Sequence, residues 1–110
     1  MGATRMANAQ LIVVTFAGKT SGPVTWKEIK TDSILVVKQE GITVVSFQMN
    51  HIEPMWGGTV FKSTGNKITP EMRKEFKRLH RDDLLFFTNI RAVNAAGDTL
   101  WADPIQFKIK

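Results

Sequence analysis

The stretch from Thr69 to Lys110 constrains the fold more than any other part of this sequence. Ile105, Phe107 and Ile109 alternate with Gln106, Lys108 and Lys110, a period of two that puts apolar side chains on one face of a strand. Leu84 to Val93 is a longer strand-like run. Between them, Asn94-Ala95-Ala96-Gly97-Asp98 has hairpin chemistry, with Gly97 suited to positive φ. Ahead of them, Thr69-Pro70 reads as N-cap and first helical residue, where the missing proline N–H costs nothing. Met72, Phe76 and Leu79 at i, i+4 and i+7 then predict an amphipathic helix over about 70–80.

Upstream, Leu11 to Phe16 and Ile34 to Lys38 read as strands, and Gly18 to Pro23 as a loop. Thr25 and Glu28 form a T-x-x-E capping box, which predicts a short helical turn at about 26–30. Ile42 to Asn50 is a strand with Val45, Phe47 and Met49 on one face. His51 to Gly58 reads as irregular, Thr59 to Lys62 as a short strand and Ser63 to Asn66 as a turn. Thr99 to Trp101 is separated from the last strand by Asp103-Pro104, and that proline implies a bulge or an edge. Short strands at regular spacing point to a mainly β fold, an immunoglobulin-like β-sandwich whose one substantial helix covers an end or edge. A chain of 110 residues fits one domain, expected over 10–110 after an unstructured or cloning-derived tail at 1–9.

Composition narrows the functional classes. No run approaches the roughly 18–20 apolar residues of a membrane span. The absence of cysteine removes disulfides, thiol nucleophiles and thiolate metal sites. His51 and His80 are the only histidines, and His51-Ile52-Glu53 offers a metal at most two ligands, so no metal is expected and both read as surface residues. Adjacent Asp82 and Asp83 point in opposite directions on an extended segment and read as a solvated helix exit. No serine elbow or phosphate loop is present. The expectation is a chain that is not an enzyme and has no cofactor.

Two features suit a partner. The net charge is +5, and its one cluster, Arg73, Lys74, Lys77, Arg78 and Arg81, would form a basic stripe with Arg73, Lys77 and Arg81 every fourth residue along the helix. Such a stripe fits an acidic protein patch, anionic lipid or nucleic acid, although no aromatic residues interleave with it as single-strand stacking requires, and it equally fits a solvated face partly neutralised by Glu71 and Glu75. In the irregular segment, Met55 and Trp56 place two large apolar side chains in a loop, where they serve as anchors for a protein partner.

The order of these pieces resembles a known family. Val24-Thr25-Trp26-Lys27-Glu28-Ile29, Val44-Val45-Ser46-Phe47-Gln48-Met49, Ile68-Thr69-Pro70-Glu71-Met72, the run Arg81 to Ala92 and Asp103 to Ile109 together resemble, in their order and spacing, the C-terminal domain of the GldM/PorM family. These are periplasmic core proteins of the type IX secretion and gliding machinery of Bacteroidetes. Asp82 stands where the family often has glycine. The resemblance implies a non-catalytic, periplasmic interaction domain that contacts outer-membrane-associated ring proteins of PorK/PorN type. It also implies a homodimer, and membrane attachment only through a segment upstream of this sequence. The alternatives are a basic nucleic-acid-binding module and an accessory domain of another Bacteroidetes envelope protein.

Overall fold

A computed structural model describes residues 12–110. The tail expected at 1–9, and Leu11 at the start of the first expected strand, lie outside the described residues. In chain order the elements are β1 (Val14–Thr15), β2 (Ser21–Val24), α1 (Trp26–Lys30), β3 (Val36–Val37), β4 (Thr43–Glu53) and β5 (Gly57–Ser63). After them come α2 (Pro70–Phe76), β6 (Leu84–Val93), β7 (Thr99–Trp101) and β8 (Ile105–Ile109). Among the described residues no helix is long and apolar enough to cross a membrane.

The fold is mainly β and sandwich-like. One layer is a six-stranded sheet in the order β2-β8-β6-β4-β5, with β7 continuing the β8 side of β6. The break at 102–104, set by Asp103-Pro104, separates β7 from β8 along that shared edge. The second layer is the small antiparallel β1–β3 sheet together with both helices. Each inward row follows from strand alternation: Leu85 and Phe87 on β6, and Ile105, Phe107 and Ile109 on β8, are all buried. They meet Val14, Phe16, Ile29, Met72 and Phe76 of the opposing layer in one apolar core. Full burial of each such side chain stabilises by roughly 1.5–3 kcal/mol.

The central strands depart from simple alternation. Pairing of β4 with β6 shifts register between Val44 and Ser46, and again between Ser46 and Gln48. The first shift turns Val44 inward where the sequence pattern placed Val45. The second is accompanied by Asn89 at φ 49°, which brings both Phe87 and Ile90 to the core side. β4 also runs on through His51 to Glu53 and turns into β5, so the segment read as irregular is the tip of a hairpin.

β2 was not expected as a strand. Ser21–Val24 pairs in parallel with Gln106–Ile109 at the edge of the sheet, where Pro23 has a partner strand on one side only. It is reached through a tight turn, Phe16-Ala17-Gly18-Lys19, with Phe16 and Lys19 exchanging both backbone hydrogen bonds at 3.1 and 3.0 Å. Both central residues have positive φ, Ala17 at 55° and Gly18 at 73°. This is a type I′ turn, and alanine is poorly suited to its first position. Ala17→Asn is expected to stabilise the domain by about 0.5–1 kcal/mol, read as a raised urea midpoint with unchanged slope.

Both helix starts follow their caps. The Thr25 hydroxyl accepts the Glu28 N–H at 3.2 Å while Glu28 accepts the Thr25 N–H at 2.8 Å. The Lys19 ammonium, 2.7 Å away, and then the Thr25 N–H hold the Glu28 carboxyl down to about 2. Thr69 caps α2 through the Met72 N–H, with Pro70 at the first position. The helix ends at Phe76, earlier than the expected 80; Lys77 is its C-cap and the chain continues in turns. Met72 and Phe76 face the core of the sandwich, so α2 covers the face of the large sheet, not an end of it.

Candidate functional site

Strand alternation carries β4 inward at Phe47, Met49 and then His51, whose side chain is 1% exposed. On α2 the buried side consists of Met72, Glu75 and Phe76, so a carboxylate is delivered into the same layer. A third group comes from the start of β6. Asp82 takes φ 75°, a left-handed conformation that glycine adopts most readily, and its N–H donates to the Ile109 carbonyl at 2.7 Å. That turn leaves Asp82 in solvent and sends Asp83 inside. The two aspartates do diverge, but Asp83 is not a solvated helix exit.

These three meet. His51 Nδ1 lies 2.5 Å from Glu75 Oε2, and Nε2 lies 2.6 Å from Asp83 Oδ2. Asp83 Oδ2 also accepts the His80 N–H at 2.9 Å, and the Arg78 Nε stands 3.7 Å from the other Glu75 oxygen. With a carboxylate at each nitrogen, both ring nitrogens donate and the ring is an imidazolium. Burial is the largest influence on it and favours the neutral form. The hydrogen bonds to Asp83 and Glu75 and the charges of both together outweigh burial, and His51 is raised above its ordinary 6.5.

A group raised in the folded state contributes stability that is complete below its unfolded value and is lost as pH climbs through the folded one. In metal-free buffer the urea midpoint is therefore expected to fall as pH rises above about 6.5, a slope absent when His51, Glu75 and Asp83 are all replaced by leucine or methionine.

Over this cluster a cavity of about 410 Å³ opens between residues 53–56 and residues 80–83. Its outer wall is the hairpin tip. The Trp56 N–H donates to the Glu53 carbonyl at 3.1 Å and Gly57 takes φ 89°, which closes the turn and leaves Met55 84% and Trp56 82% exposed. Arg81 lines the same cavity and joins them.

The basic stripe does not form. Because α2 stops at Phe76, Arg73, Lys77 and Arg81 do not continue on one helix. Arg73 is half-buried and already engaged: its guanidinium donates to the carbonyls of Lys30 and Asp32 at 2.8 and 2.9 Å and lies over the Phe76 ring, tying α2 to the end of α1. Lys77 remains exposed at the helix end. Met55, Trp56 and Arg81 are thus brought together, while Arg73 stands apart from them with its guanidinium committed to the end of α1.

The histidine cluster was missed because its members are far apart in sequence, Glu75 24 and Asp83 32 positions from His51. One local signal was present, since extending the Phe47, Met49 alternation by a step places His51 in the core. No protein-family model matches this chain, and no curated protein matches it.

Proposed function

We propose that this chain is a protein-binding domain that acts by contact, without chemistry of its own, and that the hairpin tip 54–57 with Arg81 is its contact surface. The observation that carries the reading is the paired exposure of Met55 and Trp56 on a closed, hydrogen-bonded turn. Large apolar side chains held out on a rigid tip lose little conformational entropy when they dock, and Trp and Arg are the residues that dominate interface energies. His51 supports a non-catalytic reading, because both ring nitrogens are engaged by carboxylates and neither is free to serve as a base. The similarity of Val24–Lys110 to the GldM/PorM C-terminal domain supplies the setting and partner class: a periplasmic component of a type IX secretion or gliding machine, dimeric, docking on outer-membrane-associated ring proteins.

Trp56→Ala is expected to weaken binding to such ring proteins by about 2 kcal/mol or more, some thirtyfold in Kd, with the urea midpoint unchanged. Arg81→Glu should weaken it further when combined. Unchanged affinity in the double variant would remove the tip as the contact surface.

A further inference from the structure

The ring nitrogens of His51 face different surroundings. Nδ1 is tied to Glu75 of α2, while Nε2 faces Asp83, which lines the cavity beneath the hairpin tip. Glu53 lies two residues beyond His51 on the same strand and lines that cavity too. One ring nitrogen of His51, one oxygen of Glu53 and one of Asp83 all lie within 4.8 Å of one another. His80 reaches in from the other rim, its Nδ1 3.9 Å from Asp83 Oδ2.

We propose that His51 Nε2, Asp83 and Glu53, with His80 as fourth ligand, form a binding site for one divalent ion of the zinc class.

The donor chemistry points this way. One buried imidazole, two carboxylates and a second imidazole at the solvent edge make a mixed nitrogen and oxygen set that suits zinc and its neighbours over magnesium or calcium, which prefer oxygen alone. Glu75 on Nδ1 gives the carboxylate–histidine arrangement that fixes the tautomer and aims Nε2 at a metal. Charge favours the exchange as well. A single proton on Nε2 leaves the imidazolium among three carboxylates, whereas a divalent ion in its place removes one further negative charge from this nearly buried site. Ligand bonds near 2.0–2.2 Å set neighbouring donors about 3.4 Å apart, so His51 Nε2 and Asp83 Oδ2, now 2.6 Å apart, must part by somewhat under about 1 Å while the outer donors draw in. Glu53 and His80, at the open side, are the groups free to make that movement. The ion would tie the tip end of the hairpin to the loop before β6, independently of what docks on Trp56.

The test is isothermal titration of the tag-free, EDTA-stripped chain with zinc chloride at about pH 7.5, in two buffers of different ionisation enthalpy. The expected result is one ion per chain with Kd below about 10 μM, and release of about one proton as His51 Nε2 exchanges its hydrogen for metal. Glu53→Gln and His80→Ala, both outside the core and expected to keep the fold, should each weaken binding about tenfold or more. Magnesium and calcium at about 1 mM should not compete. Absence of saturable binding up to about 1 mM zinc overturns the proposal. So does zinc affinity unchanged by Glu53→Gln and His80→Ala together, which would assign the ion to an adventitious surface position.

Discussion

His51→Ala is expected to destabilise the domain by about 3–5 kcal/mol, because it leaves Glu75 and Asp83 buried without their shared cation. Asp83 keeps the His80 N–H and Glu75 keeps a distant Arg78, but neither replaces a charged donor at hydrogen-bond distance. A domain of this size has about 5–15 kcal/mol in total, so the variant should lose a large fraction of its stability. The loss measures the cost of orphaned charges more than any net attraction within the cluster. A second variant separates the two. Replacing all three residues together by leucine or methionine should restore most of the stability, since a buried ion group exchanged whole for apolar side chains is often neutral or better. Urea unfolding of both variants provides the check. A triple variant as unstable as His51→Ala would mean that these residues hold the layers together through packing the apolar replacements cannot reproduce.

Phe87→Ala should have a loss of similar size by a different route. Phe87 sits on β6 at the centre of an aromatic group, with ring centroids 5.0 Å from Phe16, 5.8 Å from Phe47 and 6.4 Å from Phe107. It therefore joins β4 and β8 within the large sheet and also bridges to the opposing layer beside β1. Its side chain is fully buried, and its removal leaves a cavity walled by rings that belong to three separate strand segments and cannot all close in at once. About 3–5 kcal/mol is expected, against less than about 1.5 kcal/mol for Phe87→Leu, which keeps most of the volume. A cost below about 1 kcal/mol for the alanine variant would show that the layers collapse freely onto the gap.

The parts of the fold that were legible in the sequence are those written in local spacing. Thr25 with Glu28 and Thr69 with Pro70 gave both helix starts, and Gly97 takes the positive φ, 87°, that its turn needs. β6 and β8 followed from apolar runs and alternation. What stayed hidden depends on partners distant in the chain. Ser21-Gly22-Pro23-Val24 has poor strand formers and becomes a strand because β8 offers it an edge. The inward turn of Val44 depends on bulges that appear only when β4 is laid against β6. The helix stop at Phe76 carries no proline or glycine to announce it. The candidate site divides the same way: Met55 and Trp56 were visible as a large apolar pair in a loop marked by Pro54, Gly57 and Gly58, whereas Asp83 owes its burial to the left-handed turn at Asp82.

The position of β8 has a consequence for how the chain acquires its structure. β6 pairs with residues 43–53 on one side and with residues 105–109 on the other, and β2 has no neighbour in the sheet except that same late segment. Contacts that join distant parts of a chain form slowly, because loop closure must precede any reward. During synthesis the β4–β5 hairpin and α2 emerge early, yet the apolar row of β6 keeps an open edge until residues 105–109 leave the ribosome. Until then Leu85, Phe87 and the unpaired backbone beside them form the kind of surface that recruits other unfinished chains or a chaperone.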